Sequence, residues 1–263
     1  MSQSDLFRPK RLQYVDEIAN IYSNARGQTK AELFEDENGK RYVAKSNKAD
    51  HPFVLANEFV THQLAQIVGL NVPTGGLRDV RGDTKFFSEY LEGSRRLVEL
   101  GKDDLKSKLT RWEDLLKILC FDIWVMNHDR HFGNLLVKKN GKAHDLYLID
   151  HDHTLLGKCQ DCKRLESIHS CNAALFVNQF YYPFLDQIVD SFLLFNESIQ
   201  SIQRVKDNAI ASILGQVPVG LLPNNFRQRI DEVLRERKNS LPKYIVQIFQ
   251  AGKFPKTTIM PAN

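Results

Sequence analysis

The stretch NHDRHFGN, residues Asn127–Asn134, directly follows a segment, Trp112–Met126, that is almost wholly apolar. A helix that is apolar on every side is expected in the middle of a folded lobe. Residues 135–149 then show two strand-like runs around an Asn-Gly pair, a dipeptide typical of β-hairpin turns, and Asp150 follows the second run. This order of buried helix, polar loop, hairpin and carboxylate predicts a site at the polar loop.

The residue types in and after this loop suit phosphoryl transfer. That chemistry needs a carboxylate to orient or deprotonate the attacking hydroxyl, and oxygen ligands for magnesium. Asp129 and Asn134 have the Asp-x4-Asn spacing of protein-kinase catalytic loops, and Asp150 is expected to reach the same metal ion. The alternative is a polar loop whose Asn and Asp side chains only cap the preceding helix.

Two upstream residues favour a nucleotide site because of their order along the chain. Lys45 ends the strand-like run YVAK and is expected to meet the α- and β-phosphates of ATP. Glu58 lies on the next predicted helix, Phe53–Val68, where it is placed to hold Lys45 in an ion pair. Alone, the two residues would mean little, since surface ion pairs are common.

The amino-terminal part of the sequence predicts a small antiparallel sheet with one helix. Its strand-like segments are Tyr14–Ile18, Ala31–Phe34, Arg41–Lys45, Gly76–Val80 and Thr84–Leu91. Asn-Gly and Arg-Gly-Asp turns join pairs of these segments.

After Gly93 the sequence becomes mostly helical, and the helical pattern over Leu185–Phe249 is broken at Val217–Pro223. We therefore predict an α+β, bilobal, protein-kinase-like fold. It has a β-rich ATP-binding lobe over residues 1–92 and a larger helical catalytic lobe over residues 93–263.

Three blocks of sequence resemble the HipA-like serine/threonine kinases and, more distantly, the phosphatidylinositol kinases, which share a D-R-H-x-x-N loop. The blocks are SNARGQTK at residues 23–30, YVAKSN and NEFVTHQLAQIVGLNVP at residues 42–47 and 57–73, and WVMNHDRHFGNLLV and LIDHDHTL at residues 124–137 and 148–155. The first is similar to the family's S-x-x-G-x-Q-x-K phosphate loop with its glycine moved by one place. The likeness spans residues 20–155.

By position, the resemblance implies a role for each of these residues. Asp129 would be the catalytic base, Asn134 and Asp150 the magnesium ligands, and Lys45 the ATP-phosphate lysine held by Glu58. The implied cofactors are therefore ATP and Mg²⁺.

Further positions follow from the same resemblance. Gly27, Gln28 and Lys30 would lie over the phosphates, where backbone N–H groups and positive charge can cradle them. Ser23 matches a serine whose autophosphorylation switches such kinases off, although it also suits a residue that merely turns the loop. His131 would support the loop or help neutralise the transferred charge.

The adenine-reading hinge is expected over residues 87–91, with Glu89 and Leu91 as its contacts, or else this stretch is an edge strand plus linker. Asp150 is followed by His151-Asp152 instead of Phe-Gly, and no A-P-E motif occurs, so activation-loop control of the eukaryotic kind is not expected.

The resemblance also implies partners. It suggests a toxin-like kinase whose protein substrate is a translation component, with an antitoxin or regulatory partner. Because the kinase-like blocks begin near the start of the sequence, we expect it to lack the extra amino-terminal subdomain of longer relatives, which argues against antitoxin docking.

Composition narrows the class of protein. Hydrophobic residues make up 42% and charged residues 26%, as in ordinary globular domains. A formal net charge of +4 is too small to predict direct nucleic-acid binding. No apolar run is long enough to span a membrane and no secretory signal is visible, so we expect a cytoplasmic protein.

Two weaker signals lie outside the kinase motifs. Cys159, Cys162, His169 and Cys171 offer four zinc ligands, or else are reduced cysteines in a loop. A basic run within residues 227–238 alternates with acidic residues and predicts a solvated helix face.

Three functions remain open from sequence. The preferred one is transfer of the γ-phosphate to a Ser/Thr hydroxyl of a protein. A lipid or small-molecule hydroxyl is an alternative acceptor, because the D-R-H-x-x-N loop is shared. A non-catalytic ATP-binding module is the third, but Lys45, Glu58, Asp129, Asn134 and Asp150 are all present.

Overall fold

A computed structural model describes the main chain of residues 12–18, together with residues 31–101, 103–157, 165, 185, 188–189 and 191–250. Five strands form an antiparallel sheet in the order β1-β2-β3-β5-β4. They are β1 Leu12–Ile18, β2 Ala31–Asp36, β3 Arg41–Lys45, β4 Gly75–Val80 and β5 Asp83–Glu89. One helix, α1 Val54–Ile67, lies between β3 and β4 in the chain.

The turn residues explain where these elements end. Gly69, with φ of 77°, follows α1 in a left-handed conformation, and the N–H of Leu70 donates to the carbonyl of Ala65. This is the Schellman arrangement that satisfies the last carbonyls of a helix. Arg81 and Gly82 both have positive φ between Val80 and Asp83, the geometry of a tight hairpin turn.

The rest of the described chain is mainly helical. Its helices are α2 Leu105–Lys108, α3 Asp114–Trp124, α4 Asn196–Gln203, α5 Asp207–Gln216 and α6 Asn224–Gln250. A second, three-stranded sheet consists of β6 Arg95–Arg96, β7 Leu135–Asn140 and β8 Ala143–Leu148. The predicted α+β class with a small antiparallel sheet is confirmed, and the predicted helix break coincides with the gap between α5 and α6.

The helix α3 is the centre of the helical part. Ten of its residues are buried, as the apolar sequence predicts, and it packs against α4 and α6. The Trp124 indole N–H donates to the carbonyl of Leu234 on α6 at 2.8 Å. Since α3 runs directly into the NHDRHFGN loop, this packing fixes the start of the loop.

The prediction of a solvated basic face on α6 is wrong for two residues. Arg237 is fully buried and donates to the carbonyls of Ile123 and Trp124, at 2.5 and 3.2 Å. Lys238 is also buried and donates to the carbonyl of Val205 at 2.6 Å. The last carbonyls of a helix lack intrahelical partners, and Arg237 supplies donors to those of α3.

Candidate active site

Lys45, Glu58 and Asp150 meet although they are far apart in sequence. Lys45 Nζ lies 2.5 Å from Glu58 Oε1 and 2.6 Å from Asp150 Oδ1. Lys45 ends β3 and Glu58 lies on α1, so the sheet and the helix present their charges toward each other. The ion pair that the sequence predicts between Lys45 and Glu58 is formed, and Asp150 joins it.

The charges of Lys45 and Asp150 stabilise each other. Burial alone would lower the pKa of Lys45, but the Asp150 and Glu58 carboxylates raise that pKa well above its usual value. Burial likewise works against ionised Asp150, yet Lys45 holds the pKa of Asp150 well below its usual range. Lys45 is therefore a cation and Asp150 an anion at any physiological pH.

The β7–β8 hairpin brings Asn134 and Asp150 to one end of the second sheet. Leu135 pairs with Leu148 across the two strands, so the residues just outside the pair lie side by side. The N–H of Ile149 donates to the carbonyl of Asn134 at 3.2 Å. The hairpin register thus places the end of the loop next to Asp150.

Arg130 is the structural centre of the loop. It is 1% exposed, and its guanidinium donates to both carboxylate oxygens of Asp122 on α3, at 3.0 and 3.1 Å. The same guanidinium donates to the carbonyls of Asn134 and Ile149, at 3.2 and 2.7 Å. One buried cation therefore ties helix, loop and hairpin together.

Hydrogen bonds between residues of the loop orient its polar side chains. Asn127 Oδ1 accepts from the N–H of Asp129 at 2.9 Å, and Asn134 Nδ2 donates to the carbonyl of Asp129 at 2.9 Å. His131 Nδ1 accepts from the N–H of Gly133 at 3.0 Å, which supports the turn that leads to Asn134. The Asp129 side chain itself is 48% exposed, so its carboxylate faces solvent.

The segment after Asp150 carries two more ionisable groups into the site. Burial and the nearby Asp150 carboxylate raise the pKa of Asp152 to about 8. His153 Nε2 lies 3.7 Å from Asp152 Oδ1 and 3.9 Å from Asp129 Oδ2. Asp150 has φ of 61°, a conformation that is costly for a residue other than glycine and is concentrated at functional sites.

The predicted hinge lies where β5 ends. Tyr42 pairs with Glu89 between β3 and β5, and Glu89 Oε2 forms an ion pair with Lys40 at 2.8 Å. The N–H of Glu89 donates to the carbonyl of Thr74, and the carbonyl of Leu91 accepts from Ser94. Leu91 is buried, and Glu92 beyond it pairs with Arg41 of β3.

Comparison with known proteins identifies the family to which the chain belongs. A sequence model described as HipA-like kinase matches residues 15–189, more than half of the chain's 263 residues. The chain belongs to the HipA-like kinase family. The predicted family is thereby confirmed, and with it the coarse class of activity, that of a kinase. No curated protein matches the sequence.

Solved structures share the fold of this HipA-like kinase at low sequence identity. The Helicobacter pylori proinflammatory kinase CtkA is 15% identical with a TM-score of 0.53, and the match covers 91% of this chain and all of that one. A structure of the Shewanella oneidensis toxin–antitoxin system of HipA, HipB and operator DNA is 14% identical with a TM-score of 0.50. That second match covers 91% of this chain and 66% of the other. Identities this low show the fold alone.

Several predicted site residues of the HipA-like kinase lie outside the described part of the chain. They are Ser23, Gly27, Gln28 and Lys30 of the phosphate loop, and Cys159, Cys162, His169 and Cys171 of the possible zinc site. Among the described residues, no group of three or more His, Cys, Asp or Glu side chains is arranged to hold a metal ion. Nor does any described helix have the length and apolar character to cross a membrane.

Sequence reasoning missed the buried pair of Asp122 and Arg130. A signal was present, since Asp122 is the one charged residue in the run ILCFDIWVM and lies eight positions before Arg130. A charge in a helix that is otherwise apolar requires a buried partner. Asp152 and His153 carried no comparable signal, because no local pattern predicts that His153 lies near Asp129 or that the Asp152 carbonyl meets Asn57.

Proposed function

We propose that this HipA-like kinase is an ATP- and Mg²⁺-dependent enzyme that transfers the γ-phosphate to a Ser/Thr hydroxyl of a protein. One observation carries the proposal: the network of Lys45, Glu58 and Asp150 lies beside a loop that presents Asp129 and Asn134. A lysine–glutamate pair next to a metal-binding aspartate is the arrangement that protein kinases need for activity.

The donor set fits magnesium. Mg²⁺ prefers oxygen ligands and is usually held by one or two side-chain oxygens together with substrate phosphates. Asp150 is ionised, and Asn134 commits its amide nitrogen to the carbonyl of Asp129, which leaves its Oδ1 as the atom to offer a cation. The bound metal ion would neutralise charge on the phosphates during transfer.

Other residues of the chain would bind ATP and orient the acceptor hydroxyl. Lys45 would bind the phosphate oxygens while Glu58 keeps its ammonium in place. The half-exposed Asp129 carboxylate would accept the hydrogen bond of the incoming hydroxyl and orient it for in-line attack. The phosphate loop with Gly27, Gln28 and Lys30 would cover the phosphates, and Glu89 and Leu91 would flank the adenine.

His131 would serve in support of the loop, since its Nδ1 caps the turn before Asn134. In this proposal residues 1–92 form the ATP-binding lobe and residues 93–263 the catalytic lobe. Autophosphorylation of Ser23, a structural zinc at the Cys/His cluster and a cytoplasmic location remain predictions.

A toxin-like role belongs to the same proposal. The family assignment supports it, as does a structural neighbour that is part of a toxin–antitoxin system with HipB and operator DNA. We accordingly propose a translation component as the protein substrate and an antitoxin-like protein as a regulatory partner.

The experiment that tests the acceptor uses γ-labelled ATP, Mg²⁺ and the purified chain with a soluble bacterial extract or with extracted lipids. We expect label on a protein band and, after acid hydrolysis, in phosphoserine or phosphothreonine. Label in the lipid extract or in small molecules alone would replace the protein acceptor with the alternative one. Tight ATP binding without transfer to any acceptor would indicate a binding module.

A further inference from the structure

The segment Asp150–Gly157 is attached to α1 by a polar contact centred on Asn57. Asn57 is fully buried in the first turn of α1, next to Glu58. Its Nδ2 donates to the carbonyl of Asp152 at 2.8 Å and to that of Gly157 at 3.4 Å, and its Oδ1 accepts from the N–H of Leu156 at 3.4 Å. One amide thus contacts the segment both at Asp152 and at its end, Leu156–Gly157.

Three more side chains contact the same segment. His51 Nε2 lies 3.1 Å from the carbonyl of Asp152. Thr61, one turn after Asn57, has its hydroxyl 2.7 Å from that of Thr154. Glu58 Oε1 accepts from the N–H of His151 at 3.0 Å as well as pairing with Lys45.

The attached segment holds two groups that face the site. Asp150 at its start pairs with Lys45, and His153 in its middle faces Asp129 at 3.9 Å. A shift of the segment on α1 would therefore displace Asp150 and His153 together. Burying an amide costs free energy unless the amide is hydrogen-bonded, so packing alone does not explain why Asn57 is an asparagine.

We propose that Asn57 is a positioning residue that, with Thr61 and His51, holds the segment Asp150–Gly157 on α1 in the arrangement that phosphoryl transfer requires. The proposal rests on the proposed function, because it assigns Asn57 a part in placing the metal-binding Asp150.

The test compares Asn57→Ala and Thr61→Val with the wild type, and uses Thr84→Val as a control. Thr84 makes its side-chain hydrogen bond to Asp79 in an exposed hairpin, away from the segment. The measured quantities are kcat for ADP formation from ATP, the Mg²⁺ concentration for half-maximal rate, and the exchange rate of the Leu156 amide hydrogen. A thermal melt establishes that each variant is folded.

For Asn57→Ala we expect kcat to fall at least tenfold, the Mg²⁺ requirement to rise several-fold and the Leu156 amide to exchange faster. For Thr61→Val we expect changes in kcat and in the Mg²⁺ requirement in the same direction, of a few-fold. Thr84→Val should leave all three quantities unchanged. A merely structural role would lower the folded fraction without changing the Mg²⁺ requirement.

Folded Asn57→Ala with the wild-type kcat and Mg²⁺ requirement would overturn the proposal. If Asn57→Ala does not fold, Thr61→Val decides, and unchanged kinetics in that variant would overturn it. If the wild type forms no ADP, the proposed function fails. The Leu156 exchange rate in the folded variants then still decides whether the contact holds the segment.

Discussion

At the scale of single residues, the site depends on a few partly buried charges whose partners fix their positions. Lys45 meets Asp150 across 105 positions of sequence, and each charge is held by the other. The types and order of these residues were predictable, because phosphoryl transfer restricts both. The approach of His153 to Asp129 was not, since no local pattern reports which distant side chains become neighbours.

Replacing Asp122 by Asn should be strongly destabilising. Both members of the Asp122–Arg130 pair are fully buried, and removing one charge leaves the other uncompensated. We expect the free energy of unfolding to fall by roughly 3–5 kcal/mol in urea denaturation. The matched control is Asp114→Asn on the same helix, whose partner Arg111 is 48% exposed, so a loss of about 1 kcal/mol or less is expected. Equal losses in the two variants would contradict this account.

The buried His62 should make the fold sensitive to acid. Burial lowers its pKa from 6.5 to about 4, although its hydrogen bond with the carbonyl of Pro73 acts the other way. Between these values the unfolded chain binds a proton that the folded chain does not, so stability falls as the pH is lowered. Once the pH is below both pKa values, this difference in proton binding has lowered the free energy of unfolding by on the order of 3 kcal/mol. Denaturation curves measured from pH 7 to 4 should show that the free energy of unfolding declines less in His62→Gln than in the wild type. Equal declines in the two proteins would contradict this role of His62.

At the scale of secondary structure, the alternation of apolar residues and the turn dipeptides predicted most elements to within a few residues. The predicted end of the helix after Val68 and the predicted turn at Arg-Gly-Asp between β4 and β5 are confirmed, because local backbone preferences decide them. The environment of α6 was not predictable in this way. Arg237 is buried because the end of α3 lies against it, a contact between residues 114 positions apart.

The strand β4 contains a glycine that tolerates no side chain. A Cβ atom at Gly75 would lie 2.5 Å from the carbonyl oxygen of Phe87 on β5 and 3.4 Å from His62 on α1. Gly75→Ala should therefore lower the midpoint of thermal unfolding by several degrees, since backbone has to move. In contrast, Gly215→Ala on α5 meets nothing within 4 Å and should raise it slightly, because alanine favours helix. An unchanged midpoint of thermal unfolding in Gly75→Ala would show that β4 and β5 are further apart than described.

At the scale of the whole molecule, the sheet and the helical part meet at the site. The β-rich part supplies Lys45 and Glu58, and the helical part supplies the loop with Asp129 and Asn134. The segment after Asp150 joins the two parts through Glu58 and Asn57. The change in composition near Gly93 predicts a boundary between two lobes, which stays a prediction, whereas these joining contacts depend on the folded packing.

The most direct test of the central claim is the rate at which the γ-phosphate leaves ATP and appears on an acceptor with saturating ATP and Mg²⁺. The wild type is compared with Asp129→Ala and with His128→Ala, whose exposed side chain is the neighbour of Asp129. We predict that Asp129→Ala loses at least a hundredfold in rate while its melting temperature stays near that of the wild type, and that His128→Ala stays within a few-fold. Transfer by Asp129→Ala at the wild-type rate would contradict the assignment of this loop as the catalytic site.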